Sequence, residues 1–248
     1  MSSYLSKTLT SKLRESKPID EVVLKILRAS EDVGLCQSMV DGHKRVLHAY
    51  GIKNIASFNT NWIGRDDVIL IVAMSADGKK VLAGTRLQSG DKPEDFPLYQ
   101  AVGYMDEGLK PWLATLIKDG TMELNGMWNS IELAGMGLGV EWMVQSAMAS
   151  MSILDLRNIL ALTSPVTRKM RDKMGWSIKD QFGDDGYFKY PNDKLLASIE
   201  HFTFPDDLPK SQKEVRVFLD ELWADPTGYV MNIKGPKGKL KVRFNISV

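Results

Sequence analysis

The stretch Thr121–Trp176, TMELNGMWNSIELAGMGLGVEWMVQSAMASMSILDLRNILALTSPVTRKMRDKMGW, decides the fold. It reads as a strand, a glycine-rich turn, a long helix, a second strand and a helix closed by Gly175. Gly135, Gly137 and Gly139 stand where strand-like residues give way to a helical run from Val140. A turn with so little side chain lets backbone N–H groups approach an anion, and the following helix adds the partial positive charge of its N-terminus. Two familiar phosphate-binding patterns fit the turn incompletely. A P-loop needs Lys and Ser or Thr after the last glycine, where this chain has Val140 and Glu141. A dinucleotide fingerprint needs Gly-x-Gly-x-x-Gly and an acid at the end of the next strand, which here ends in Leu162-Thr163-Ser164.

A third pattern covers more of the chain. Glu132-x-x-Gly135-x-Gly137, the strand near Asn158 to Leu162, and Lys173-Met174-Gly175-Trp176 stand in the order and at the separations of the acyl-CoA site of the GCN5-related N-acetyltransferase (GNAT) superfamily, which this region resembles over roughly Val68 to Tyr190. The resemblance implies an α/β (α+β) fold, a mixed twisted sheet flanked by helices, and acyl transfer from acetyl-CoA or another acyl-CoA to a small-molecule or peptide amine. It further implies that Gly135, Met136, Gly137, Leu138 and Gly139 hold pyrophosphate, that Met127, Trp128 and Ser164 border the pantetheine, and that a carboxylate on the first strand is the base. Two positions depart from the family. Glu132 stands where Gln or Arg is usual, and Arg171 replaces a Tyr that often serves as acid.

Strand alternation places Glu123, Asn125, Met127 and Asn129 on one face of Thr121–Ser130, with Met122, Leu124 and Trp128 on the other. Glu123 is therefore the candidate proton acceptor, although an acid paired with Arg86 or capped by backbone donors reads equally well. Tyr187 and Tyr190, on a late strand, are candidates for the missing acid. The basic helix Arg168, Lys169, Arg171, Lys173 reads as a solvated face or as a contact for CoA phosphates. Met143, Val144, Ala147, Met148 and Met151 form a sheet-facing stripe on the helix from Val140.

Upstream, Asp20 is expected to cap a helix burying Val22, Val23, Ile26 and Leu27, after a loose polar lead-in of seventeen residues. A second helix is expected over Gln37 to Tyr50, closed by Gly51. Its His43 and His48, five apart, do not share a face for a metal pair, and Cys36 has no base beside it. Val68–Met74 and Val81–Gln88 read as a hairpin turning at Ala76-Asp77-Gly78-Lys79. Ser89 to Gly120 is a largely helical insertion. With Gly84-Thr85-Arg86-Leu87 before it and Met122-Glu123-Leu124-Asn125 after, it also resembles the acyl-homoserine-lactone synthase branch of the same fold. That branch implies longer acyl donors, on CoA or on an acyl carrier protein. A catalytically inactive acyl-CoA-binding domain is the alternative that Glu132 and Arg171 suggest.

Residues 1–193 are thus expected to form the acyltransferase domain and 194–248 a C-terminal extension packed on it, with a helix over Ser211–Trp223 and a hairpin turning at Gly235-Pro236-Lys237-Gly238. Its last strand alternates Leu240, Val242, Phe244, Ile246 with Lys239, Lys241, Arg243, Asn245. A formal charge of +1 gives no field that singles out nucleic acid. The lone Cys36, the polar start and the short aliphatic run Val68–Met74 lead to an expectation of a cytoplasmic protein without a membrane span. No metal is expected, since Asp184-Asp185-Gly186 lacks the spaced ligands of a calcium loop. A homodimer is compatible with the sequence.

Overall fold

The computed structural model describes residues 19–49, 51 and 59–248. The expected polar lead-in and Tyr50 lie outside the described residues. The chain builds a sheet of ten strands: β1 (Glu21–Arg28), β2 (Val68–Ser75), β3 (Val81–Gln88), β4 (Thr121–Asn129), β5 (Asn158–Thr163), β6 (Ser177–Ile178), β7 (Phe188–Lys189), β8 (Leu196–Thr203), β9 (Val230–Gly235) and β10 (Gly238–Ser247). Its order is β6-β8-β5-β4-β3-β2-β1-β10-β9, with β7 paired to β8. The pairs β1–β10 and β4–β5 are parallel and the others antiparallel, so the sheet is mixed as expected.

The first element corrects the sequence reading. Glu21–Arg28 is a strand and not a helix, hydrogen-bonded between β2 and β10. Val22, Leu24 and Ile26 point to one face and are fully buried. The same residues satisfy a period of two as well as one of 3.6, and the β-branched side chains of Val22, Val23 and Ile26 suit the pleated surface once two partner strands are present.

Six helical segments matter here: α1 (Val33–Ala49), α2 (Pro97–Val102), α3 (Leu109–Ile117), α4 (Val140–Ile153), α5 (Arg168–Lys173) and α6 (Lys213–Ala224). On one face, α1 covers Leu27, Val68, Leu70, Val72 and Met74, while α2 and α3, the expected insertion, cover Leu160 and Ile199. On the other, α4 and α6 close the larger core, where the methionines of α4 meet Ile69, Ile71, Leu240, Val242 and Phe244. Residues beyond 193 supply β8, β9 and β10 to this same sheet.

The polar pattern of β10 behaves as its alternation requires. Leu240, Val242, Phe244 and Ile246 are buried, whereas Lys241 and Arg243 stand outside and both pair with Glu21.

Candidate active site

Strands β4 and β5 are parallel neighbours only at their beginnings. The register runs Thr121↔Asn158, Met122↔Ile159, Glu123↔Leu160 and stops there, while β5 continues along β8 as far as Thr163. From Leu124 onward one backbone edge of β4 faces a cleft. A cavity of about 360 Å³ opens at this parting, walled by His43 and Leu47 of α1, Pro97, Leu98 and Ala101, Leu124 to Met127 of β4, Val140 at the start of α4, Leu162 to Ser164, Thr167, Arg171 and Tyr190.

Glu123 sits where the strands part, almost fully buried at 2% exposure, and lines the cavity. Its Oε2 accepts a hydrogen bond from the Leu98 N–H at 2.8 Å, because α2 of the insertion crosses over β4 at this point. Burial raises its pKa from 4.5 to about 8, outweighing the Leu98 donor and the attraction of Arg86. The carboxyl group is thus poised to gain or lose a proton just above neutrality.

Past Glu123, β4 departs from simple alternation. Gly126 has a φ of +65°, and the register slips opposite Thr85, so that Gly126 and Met127 together face one residue of β3. The Thr85 hydroxyl donates to the Asn125 carbonyl at 3.0 Å. A Cβ on Gly126 would come within 2.6 Å of Arg86 Nη1. The bulge corrects the expected faces: Met127 joins the α4 side of the core, and Trp128 turns to the α1 side, where its ring lies against Gly42. Met127 therefore lines the cavity, and the Trp128 side chain does not.

The glycine turn abuts the C-terminal hairpin. Gly135 and Gly137 have φ of +86° and +96°, and the turn is packed beneath the β9–β10 turn. Lys237 N–H donates to Gly135 O at 2.9 Å, its side-chain stem lies over Gly135, and Met136 and Leu138 are buried in the core. Gly135, Met136, Gly137 and Leu138 are thus not on the cavity wall. Gly139 differs: it is the N-cap of α4, has no side-chain cap, and a Cβ there would meet nothing within 4 Å. It leaves the first turn of the helix, beginning with cavity-lining Val140, open to an acceptor. Glu132 is off the cavity and forms an ion pair with Lys80.

Ser164 lines the cavity and accepts a long hydrogen bond, 3.4 Å, from Val166 N–H as the cap of a short 3₁₀ turn. Tyr187 stands outside, its hydroxyl 3.4 Å from Arg168 Nη1, whereas Tyr190 is on the wall.

Two wall residues carry more than their sequence context indicated. His43 is 5% exposed, and burial together with Arg86 lowers its pKa to about 4, so it is a neutral imidazole. Arg171 is not on the solvated face of its helix. Its side chain is 5% exposed, its Nε lies 2.8 Å from Glu200 Oε2, and its guanidinium stacks 4.5 Å above the Trp176 ring. The only hint in the sequence is that Thr167, Arg171 and Met174 share one helical face. Three buried polar atoms of wall residues, Asn125 Oδ1 and Nε and Nη1 of Arg171, make no hydrogen bond of good geometry among the described residues. The cleft is mainly apolar, with the buried carboxyl group of Glu123 at its edge.

A mixed sheet whose parallel neighbours part beside a helix N-terminus is a fold that this chain shares with N-acetyltransferases and N-acyl synthases of known structure. Among solved structures, the chain is similar to FeeM, an N-acyl amino acid synthase from uncultured soil microbes, at a TM-score of 0.58 and 11% identity, over 77% of this chain and 94% of that one. It is also similar to BjaI, a CoA-dependent acyl-homoserine lactone synthase with SAM and isopentyl-CoA (TM-score 0.52, 12% identity, 83% and 90% covered), and to Escherichia coli ElaA (0.50, 11%, 72% and 98%). No protein-family model and no curated protein sequence matches this chain.

Proposed function

We propose that this chain is an N-acyltransferase that moves an acyl group from an acyl-CoA to an amine. The observation that carries this reading is the parting of β4 and β5 at Glu123, which leaves a free strand edge, a helix N-terminus and a buried carboxylate around one cavity. The edge of β4 that no described strand pairs beyond Glu123 offers backbone groups to the pantetheine amides, and the first turn of α4 from Gly139 offers N–H groups to the phosphates. The acceptor amine loses its proton to the Glu123 carboxylate as nitrogen attacks the thioester carbonyl. Ser164 and Met127 border the acyl arm. Neutral His43 keeps the wall beside Arg86 from acquiring a second charge.

One observation favours a longer donor within this reading. Leu47, Leu98, Ala101, Leu124, Met127 and Leu162 give the cavity an apolar lining larger than an acetyl group requires. An N-acyl synthase taking medium-chain acyl groups, from CoA or a carrier protein, is the second reading.

Both are tested by native mass spectrometry with acetyl-CoA and octanoyl-CoA, followed by release of free thiol across a panel of amines. Binding of either thioester with amine-dependent thiol release is the expected result, and the better donor decides between the readings. Absence of binding to both would remove the proposal.

A further inference from the structure

Resting on the acyl-transfer reading above, we infer that Arg171 is a catalytic residue that carries the negative charge arriving on the sulfur of the departing thiol. The wall bears two groups with the means to handle charge and protons during the reaction, and they stand on different elements: Glu123 on β4 and Arg171 on α5. His43 faces the same cavity from α1 as a neutral ring, and Tyr190 from the loop after β7.

Arg171 is held, and its reach is fixed. Glu200 of β8 is against its Nε, Trp176 lies under its plane, and the Thr163 hydroxyl at the end of β5 fastens Glu200 through a 2.9 Å hydrogen bond to Oε1. A guanidinium so confined cannot swing into water, and the small part of the side chain that is exposed, 5%, borders the cavity. A cation held in place at the edge of an enclosed cavity acts on whatever charge develops inside it.

The chemistry of the guest follows from the charge balance. Glu200 already matches the charge of Arg171, and Arg86, beside Glu123, matches the charge of that carboxyl group when it ionises. A permanently charged carboxylate on the substrate would leave the enclosed site with surplus negative charge, which burial penalises. A neutral thioester adds none. As the amine nitrogen bonds to the carbonyl carbon, its proton goes to Glu123. The carbon–sulfur bond then breaks with its electron pair on sulfur, giving an amide and a thiolate. That charge is new, transient and located away from Glu123. Arg171 meets it with a fixed N–H and a full positive charge, and the proton held by Glu123 later neutralises the thiolate by way of water. Arg171 acts as a cation throughout and gives up no proton.

The test uses CoA itself and needs no acceptor. The pH at which the bound thiol ionises is read from thiolate ultraviolet absorbance, as the difference between the complex with CoA and the complex with desulfo-CoA. Titration of Glu123, Glu200, His43 and Tyr190 is common to both complexes and cancels. The wild-type chain is expected to lower the thiol pKa by roughly one to three units relative to free CoA. In Arg171→Gln/Glu200→Gln, where neither half of the pair is left charged alone, the lowering should vanish while desulfo-CoA affinity changes less than about tenfold. Arg171→Lys, which keeps the charge without the fork, should retain part of it and serves if the double variant does not fold. A thiol that ionises at its free-solution pH in the wild-type complex overturns the inference, as does a shift that persists unchanged in these variants. Failure of desulfo-CoA to bind the wild-type chain would instead remove the acyl-CoA reading, and the inference with it.

Discussion

Gly235, in the turn between the last two strands, lies backbone against backbone on Gly137, in the turn that precedes α4. A Cβ on Gly235 would overlap the Gly137 nitrogen and the Gly135 carbonyl oxygen. The C-terminal hairpin therefore fixes the turn from which the cavity's helix starts. Gly235→Ala must push the two turns apart. The expected outcome is a loss of about 1–3 kcal/mol in urea unfolding together with weaker CoA binding. Gly139→Ala, where a Cβ meets open space, should cost only the poorer N-cap, about 0.5–1 kcal/mol. Equal stability of the two variants would show that the hairpin contact is slack.

Glu123 should govern the pH dependence of turnover. With its pKa raised to about 8, kcat/KM for amine acylation should climb through that pH and level off above it. Glu123→Gln should lower kcat/KM by roughly 10²–10⁴ and abolish the climb. A variant that keeps both the rate and the profile would remove Glu123 from the chemistry.

The same carboxyl group has a stability signature of its own. Because its pKa is higher folded than unfolded, the native chain binds the extra proton between pH 4.5 and about 8, and stability falls as pH rises across that window. Chemical unfolding of Glu123→Gln at pH 5 and pH 8 should show this fall diminished by a few kcal/mol. An unchanged slope would mean that the buried carboxyl is already ionised at pH 5.

The buried histidines act in the opposite sense. His43 and His201 have pKa values lowered from 6.5 to about 4, chiefly by burial, so the unfolded chain takes up protons that the native chain refuses. Their contribution is intact above pH 6.5 and is lost as pH falls toward 4, by roughly 2–3 kcal/mol each. His201 Nε2 lies 2.8 Å from Asn158 Oδ1. His201→Gln, which preserves a polar partner for Asn158, should flatten the acid limb of the stability curve in denaturant titrations at pH 7 and pH 4.5.

Arg171 and Glu200 should be strongly coupled. Arg171→Met leaves a buried carboxylate without its counter-charge and is expected to cost about 3–5 kcal/mol in thermal or urea unfolding. Adding Glu200→Gln should recover most of that loss, since a well-packed neutral pair avoids the desolvation of two charges. Additive losses in the double-mutant cycle would mean that the two side chains do not share one electrostatic environment.

Much of this architecture was legible in local chemistry. The hairpin of β2 and β3 follows from two apolar runs around Ala76-Asp77-Gly78-Lys79, and α4 from a helical run after the glycines. The buried and basic faces of β10 follow from strict alternation. Alternation also places Glu123 on a definite face of β4, the one that Leu98 covers with its N–H.

By itself, then, the sequence determined the elements whose periodicity admits one reading, together with the α/β class, since those signals reside in neighbours along the chain. Tertiary structure alone decided that Glu21–Arg28 is a strand, because both periods fit its residues and β2 and β10 supplied the backbone partners. It alone turned Trp128 over, through an extra residue at Gly126 that no alternation rule includes. It also decided that Gly135 and Gly137 receive the hairpin at Gly235, and that Arg171 is buried against Glu200. In each case the deciding partner lies far along the chain, and such contacts arise from how the sheet closes and not from the residues on either side.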